Sequence, residues 1–249
     1  MKDTAYKEMF LVENSHWWYR GLHDLTLLLV EKLFVNRTLD IFDAGCGTGR
    51  LMYLLNQKGH DVAGLDYSDD ALAFCAQRGL NHTTKGDLND WVPSVDAYDL
   101  ITCFDVLCHQ WVRDDVAILK SLAGGLKEEG LLFLNDPAFP FLSRGHDRIV
   151  MIRERYTKKS FCQVLASANL QPVLMSYRLP HAFIILSLLR GYETLNKNMP
   201  HTTSDIANIP PRVINHILYL VTRLENRLVA SGISLLFGSS LFTVARRGA

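Results

Sequence analysis

Residues 39–50 read Leu-Asp-Ile-Phe-Asp-Ala-Gly-Cys-Gly-Thr-Gly-Arg, and no other segment constrains the fold as tightly. An apolar strand runs into Asp43. Gly45, Gly47 and Gly49 then fall at alternate positions, and Leu51, Leu54 and Leu55 open an amphipathic run. That order spells strand, tight turn and helix, with side chains stripped from the turn so that a ligand can touch backbone. In open α/β sheets nucleotide-like ligands bind at this place, beyond the carboxyl end of the strand and at a helix N-terminus.

Two features narrow the ligand. The dinucleotide fingerprint G-x-G-x-x-G needs glycine where Arg50 stands, and Asp43 lies where a pyrophosphate would want no negative charge. A ligand with an ammonium or sulfonium tolerates that aspartate. The segment resembles motif I of the class I S-adenosylmethionine (AdoMet)-dependent methyltransferases, D/E-x-G-x-G-x-G, with Asp43, Gly45, Gly47 and Gly49 at its fixed positions. The resemblance implies AdoMet as cofactor and S-adenosylhomocysteine as product, with Ala44 and Cys46 sharing the contacts of the turn. A glycine-rich turn without ligand is the alternative, and the segments that follow weigh against it.

A second strand, residues 61–66, ends in Asp66, about 20 residues beyond the glycines, where a carboxylate grips ribose hydroxyls. Tyr67 and Ser68 follow it. Ser68, Asp69 and Asp70 supply an N-cap and an acidic first turn to a helix that Gly79 closes. An acid at position 66 also repels a 2′-phosphate, which disfavours NADP. After a short third strand come Gly86, Asp87 and Leu88, and the resemblance implies that Asp87 accepts from the adenine amino group. The fourth strand, residues 98–104, carries Phe104, Asp105 and Val106 to the cofactor and leads into Leu107, Cys108 and His109. Many small-molecule members have Leu-Glu-His here. Cys108 replaces that acid, so no metal is expected.

Glu13, His16, Trp17, Trp18, Tyr19 and Arg20 precede a helix expected over residues 22–34. They resemble the E-x-x-H-W/F-W-Y/F-x-x-R region of a bacterial group of these enzymes. The resemblance implies N-terminal helices closing over the cofactor, with Tyr19 and Arg20 meeting its methionine carboxylate, which suits the arginine fork. Trp17 and Trp18 either pack that helix on the sheet edge or contact the acceptor. The loop at residues 136–156 resembles an L-x-S-x-H-D…R-R-Y-T region of the same group and places Asp147, Arg148 and Tyr156 with the acceptor. An internally hydrogen-bonded His146–Asp147 pair is the plainer reading. For a general base the order is His109, His146, then His181, since histidine works near neutral pH.

Lys plus Arg and Asp plus Glu both number 26, so no net field draws nucleic acid. Neither Asn/Asp-Pro-Pro-aromatic nor a Pro-Cys nucleophile stands near the fourth strand, so nucleic acid is not the expected substrate. The five cysteines show no C-x-x-C pair and no zinc spacing. The first eight residues are too polar for a signal peptide, and the apolar run 183–189 is too short to span a bilayer. The cytoplasm is the expected compartment, without stable membrane insertion.

Alternating strands and helices over 249 residues imply an α/β, Rossmann-like, doubly wound sheet covered on both faces. The resemblance makes it seven-stranded, with the last strand antiparallel at one edge and a helical insertion before it. The expected divisions are a helical cap (1–38), the AdoMet-binding core (39–178), a lid or dimerisation insertion (179–239) and the last core strand (240–249). In the insertion a polar linker joins residues 181–190 to a helix with Val213, Ile214, Ile217, Leu218, Val221, Leu224 and Leu228 at helical spacing. Glu225 offsets Arg212, Arg223 and Arg227, so this helix reads as a lid or a homodimer contact rather than a membrane one. The function expected is methyl transfer to an oxygen or nitrogen of a small molecule, such as a secondary metabolite or a glycan or lipid precursor. A non-catalytic AdoMet-binding subunit is the alternative, and a nicotinamide-dependent oxidoreductase is a weaker one.

Overall fold

In the computed structural model, residues 3–195 and 209–248 are described. The expected linker residues Asn196, Asn198, Pro200 and 202–204 lie outside them. Strands β1 (Asp40–Ala44), β2 (Asp61–Asp66), β3 (Thr83–Lys85), β4 (Tyr98–Phe104), β5 (Leu126–Pro137), β6 (Leu170–Arg178) and β7 (Ser240–Arg247) form one sheet in the order β3-β2-β1-β4-β5-β7-β6. Neighbours from β3 to β5 run parallel, and β7 runs antiparallel to both β5 and β6. The antiparallel last strand is as expected, but its place is not. It fills the gap between β5 and β6 and leaves β6 at the edge.

Alternation along the strands sorts the core to two faces, as a pleated strand must. Phe42, Ile101, Leu132 and Leu134 pack under α5 (Asp115–Gly125) and α7 (Lys158–Ser167) through Ile118, Leu119, Leu122, Phe161 and Leu165. Ile41, Leu100, Phe133, Phe242 and Val244 pack on the other face under α2 (Trp17–Leu33) and α3 (Arg50–Asn56). Helix starts follow local capping. Asp114 caps α5, and Thr157 with Ser160 closes a capping box on α7. His16 caps α2 by accepting from the Trp18 N–H at 3.2 Å. Helix α2 therefore starts earlier than expected, and Trp17 to Arg20 form its first turn.

The largest departure is α9 (Arg212–Ala230), which follows α8 (Pro180–Leu195). Its polar side packs inward on α2. Tyr219 Oη donates to Asp24 at 2.6 Å, Asn226 Nδ2 to the Gly21 carbonyl at 2.7 Å, and Asn215 Oδ1 accepts from the Trp17 N–H at 2.9 Å. Gly21 allows this approach, because a Cβ there would lie 2.4 Å from Thr222 Cγ2. The apolar side faces outward, with Val213 71% and Leu224 61% exposed. Glu225 is buried and accepts from the Leu179 N–H at 2.8 Å, so it does not offset the exposed arginines as expected. Among the described residues no helix is long and apolar enough to cross a membrane.

Candidate active site

The turn between β1 and α3 is built from left-handed backbone. Gly45, Gly47 and Gly49 have φ of 83°, 54° and 76°, a region costly for side chains that carry a Cβ. The Gly45 and Cys46 N–H groups donate to the Leu65 carbonyl at 2.8 and 2.9 Å, which ties the turn to β2. Gly47 donates its N–H to Asp66 Oδ2 at 2.9 Å. Asp66 Oδ1 accepts from the Ser68 N–H at 3.0 Å and from the Tyr6 hydroxyl at 3.1 Å. Tyr6 belongs to α1 (Asp3–Val12), which Glu13 fastens to this region through Thr48 and Arg78.

Above the turn opens a cleft of about 1220 Å³, room for a nucleoside-sized ligand and a second molecule beside it. Tyr19, Asp43, Gly45, Cys46, Gly47, Asp66, Tyr67, Ser68, Gly86, Asp87, Leu88, Phe104, Asp105 and Val106 line it. Ala44 and Gly49 do not. Ala44 is buried at the strand end, and a Cβ on Gly49 would run into Leu80 and Cys75. Arg20 is also outside the lining, with its guanidinium 3.6 Å over the Tyr219 ring. Arg50, which the sequence offered only as a departure from the dinucleotide fingerprint, lines the cleft instead.

Two carboxyls on the floor are desolvated. Burial pushes Asp43 up to about 7, opposed by the Thr102 hydroxyl donating at 2.6 Å and reinforced by the charge of Asp66. Burial pushes Asp105 up to about 7 as well, against the Asn135 amide donating at 3.2 Å and the charge of Arg178. A bound cation would favour both ionised forms. The backbone turn, the carboxylate at the end of β2 and these acids fit the ribose and the positive charges of AdoMet.

Residues 41–130 match the sequence model of a family described as "Methyltransferase domain". The chain is 27% identical over 179 residues to a ubiquinone biosynthesis O-methyltransferase of Bordetella avium, covering 62% of this chain and 72% of that one. It is 34% identical over 112 residues to a trans-aconitate 2-methyltransferase of Agrobacterium fabrum, covering 44% and 43%. The fold matches an S-adenosylmethionine-dependent methyltransferase structure from Mesorhizobium loti with a TM-score of 0.60 at 15% identity, over 94% of this chain and 100% of that one. Residues 41–130 thus carry a methyltransferase domain, on the fold shared by the class I AdoMet-dependent methyltransferases. Its cofactor is AdoMet.

Trp17, Trp18, His109, His146, Asp147 and His181 also line this cleft. The His109 ring stacks on Trp111 with centroids 4.3 Å apart, and Nδ1 lies 3.3 Å from the Met151 carbonyl. A carbonyl only accepts, so the proton sits on Nδ1 and the lone pair on Nε2. Burial lowers the His109 pKa to about 4, which keeps the ring neutral at ordinary pH. His181 packs against Trp17 at 5.2 Å, and burial lowers its pKa too. Cys108 is buried, its N–H donates to Asp136 Oδ1 at 3.1 Å, and burial pushes its thiol up.

Of the expected His146–Asp147 pair, Asp147 is held by an arginine. Asp147 takes a two-pronged bond from Arg155, with Nε at 2.6 Å and Nη2 at 2.7 Å. Tyr156 points away from the cleft and donates to Asp115 at 2.6 Å, while Arg148 is exposed outside the lining. Helix α1, the turn after it and α2 also contribute Tyr6, Met9, Glu13 and His23; of these the sequence named Glu13 alone, and gave it no contact. Their signal lay in the aromatic N-terminal stretch, which places helices over the cleft but does not say which side chains reach it. Among the described residues no three His, Cys, Asp or Glu side chains gather as a metal site.

Proposed function

We propose that this methyltransferase transfers its methyl group to an oxygen or nitrogen of a small molecule held between the β1–α3 turn and His109. The observation that carries the reading is one cleft lined both by the Asp66–Gly47 unit and by Trp17, Trp18, His109, His146 and His181. AdoMet, when bound, supplies an activated methyl on a sulfonium, so the chain mainly has to position the acceptor and exclude water. Asp66 holds the ribose hydroxyls, Asp87 the adenine amino group, and Asp43 faces the ammonium. Arg50 replaces Arg20 beside Tyr19 as partner of the methionine carboxylate. His109, neutral and with Nε2 unprotonated, takes the proton of an acceptor hydroxyl.

Residues 1–38 act as the cap, 39–178 and 240–249 as the core, and 179–239 as a wall of the acceptor pocket. The wall reading is supported by Ile185, Leu186, Leu189 and Leu218, which give the acceptor end apolar sides. The name of the Bordetella relative favours oxygen as the acceptor atom. The compartment we assign is the cytoplasm, where the five free cysteines stay reduced.

Mass spectrometry of ligand carried through purification, followed by an acceptor screen that follows S-adenosylhomocysteine, tests this. Cofactor bound with no product across a broad panel would favour the non-catalytic alternative. Product formed with a hydroxylated acceptor, and lost in His109→Ala, would support the reading.

A further inference from the structure

We propose that α9, with the adjoining outer side of α8, docks this chain peripherally on an anionic lipid surface. An exposed helix face is usually polar, and here the arrangement is reversed. Val213, Ile214, Ile217, Val221, Leu224 and Leu228 are each 40–71% exposed, while Tyr219, Thr222, Glu225 and Asn226 are buried against the body. At 100° per residue the apolar positions form one continuous stripe opposite the buried side. Arg212, Arg223 and Arg227, with His216, run along one edge of that stripe, all exposed. The acid of this helix, Glu225, is turned inward, and Asp24 beside the arginine edge is engaged by Tyr219.

The patch continues beyond α9. Leu236 is 84% exposed in the following loop, and Phe237 packs against Phe183 of α8 with centroids 5.3 Å apart. On α8, Ile184, Leu188 and Tyr192 are also about half exposed or more, with Leu188 at 70%. A surface this apolar calls for a partner.

Charge decides which partner. Residues 196–208 hold only Met199 and Ile206 as large apolar side chains, too few to cover the stripe. A second copy would bring the same arginines to the edge of the contact and no exposed carboxylate from this helix to meet them. A bilayer supplies both missing halves: acyl chains for the stripe and anionic headgroups for the arginines. The same α8 lines the cleft through Ile185 and Leu189. An acceptor with an apolar body could thus pass from the lipid to His109, a corollary that rests on the methyl-transfer reading, whereas docking does not.

The test sediments the full chain with vesicles of phosphatidylcholine, with and without phosphatidylglycerol, while calorimetry follows AdoMet binding separately. The expected result is recovery with the mixed vesicles, weakened by salt. Recovery should be abolished in Ile217→Asp/Val221→Asp and reduced about fivefold by each of Arg223→Gln and Arg227→Gln. The melting temperature and AdoMet affinity of these variants should match wild type, because the side chains are exposed. Wild-type protein left in the supernatant with the mixed vesicles would overturn the proposal. So would recovery indifferent to the arginines, or a dimer in light scattering that the double aspartate variant dissociates without any vesicle binding. Intact AdoMet binding alongside such a failure would leave the methyltransferase reading standing, and loss of AdoMet binding alone would strike that reading only.

Discussion

The backbone N–H of Gly47 donates to Asp66 Oδ2 at 2.9 Å, so the middle glycine of the first turn and the acid that ends β2 form one unit. A side chain lends its carboxylate to backbone geometry and thereby holds its own orientation. Its other oxygen accepts from the Ser68 N–H and the Tyr6 hydroxyl, so the same carboxylate joins the core to the N-terminal cap. The glycine turn and the cap are therefore tied together at Asp66.

Binding of AdoMet should tighten as pH rises from 6 to 8. Asp43 and Asp105 are pushed up to about 7, and a cationic ligand prefers both ionised. Calorimetry across that range should show the trend, and Asp43→Asn should flatten part of it. For the free protein the sign reverses. A carboxyl with a raised folded-state pKa contributes stability at low pH and loses it as pH climbs from about 4 through 7.

His109→Ala should lower kcat by about 10²–10⁴-fold with AdoMet affinity nearly unchanged, the usual cost of losing a general base. Because its pKa is lowered to about 4, the acid limb of the wild-type rate profile assigned to this ring should lie near pH 4 rather than 6.5. Activity within a few-fold of wild type would make the histidine structural and leave positioning alone to carry the transfer.

Acid should destabilise the protein through His23. Burial, with the charges of Arg50, Arg78 and Arg178, lowers its pKa from 6.5 to about 3. Its contribution is full above 6.5 and is lost as pH falls toward 3, with a limiting slope of about 1.4 kcal/mol per pH unit. In denaturant unfolding between pH 7 and 4, wild type should lose stability relative to His23→Leu as pH falls. Parallel curves would show that the ring titrates alike folded and unfolded.

Gly21→Ala should cost about 1–3 kcal/mol, because its Cβ would meet Thr222 Cγ2 at 2.4 Å and push α9 off α2. A lowered melting temperature restored by Thr222→Ser would confirm the contact as the cause. An unchanged melt would show that the two helices separate freely.

The core and the first cofactor turn were legible because their signals are local. Glycines at alternate positions specify a turn, and an acid ending the next strand specifies its neighbour, whatever the rest of the chain does. The side on which α9 packs was not legible. Seven apolar residues at helical spacing show that a face exists, but periodicity cannot say whether it points inward. Asn215, Tyr219, Thr222 and Asn226 decided that by bonding to or packing on α2, far away in sequence. Arg20 went astray for the same reason, since its partner Tyr219 lies on α9. The antiparallel β7 was foreseen from the family likeness, but its place inside the sheet depends on pairing with both β5 and β6, which no single segment encodes.

Isothermal titration calorimetry of the wild type and Asp66→Ala with AdoMet, and of the wild type with NAD, tests the central claim most directly. Removing Asp66 deletes charge-assisted hydrogen bonds worth roughly 1.5–3 kcal/mol, about tenfold to a hundredfold in affinity. The account predicts AdoMet binding by the wild type, that loss in the variant, and no tight NAD binding. Tight NAD binding, or AdoMet affinity unchanged in Asp66→Ala, would contradict it.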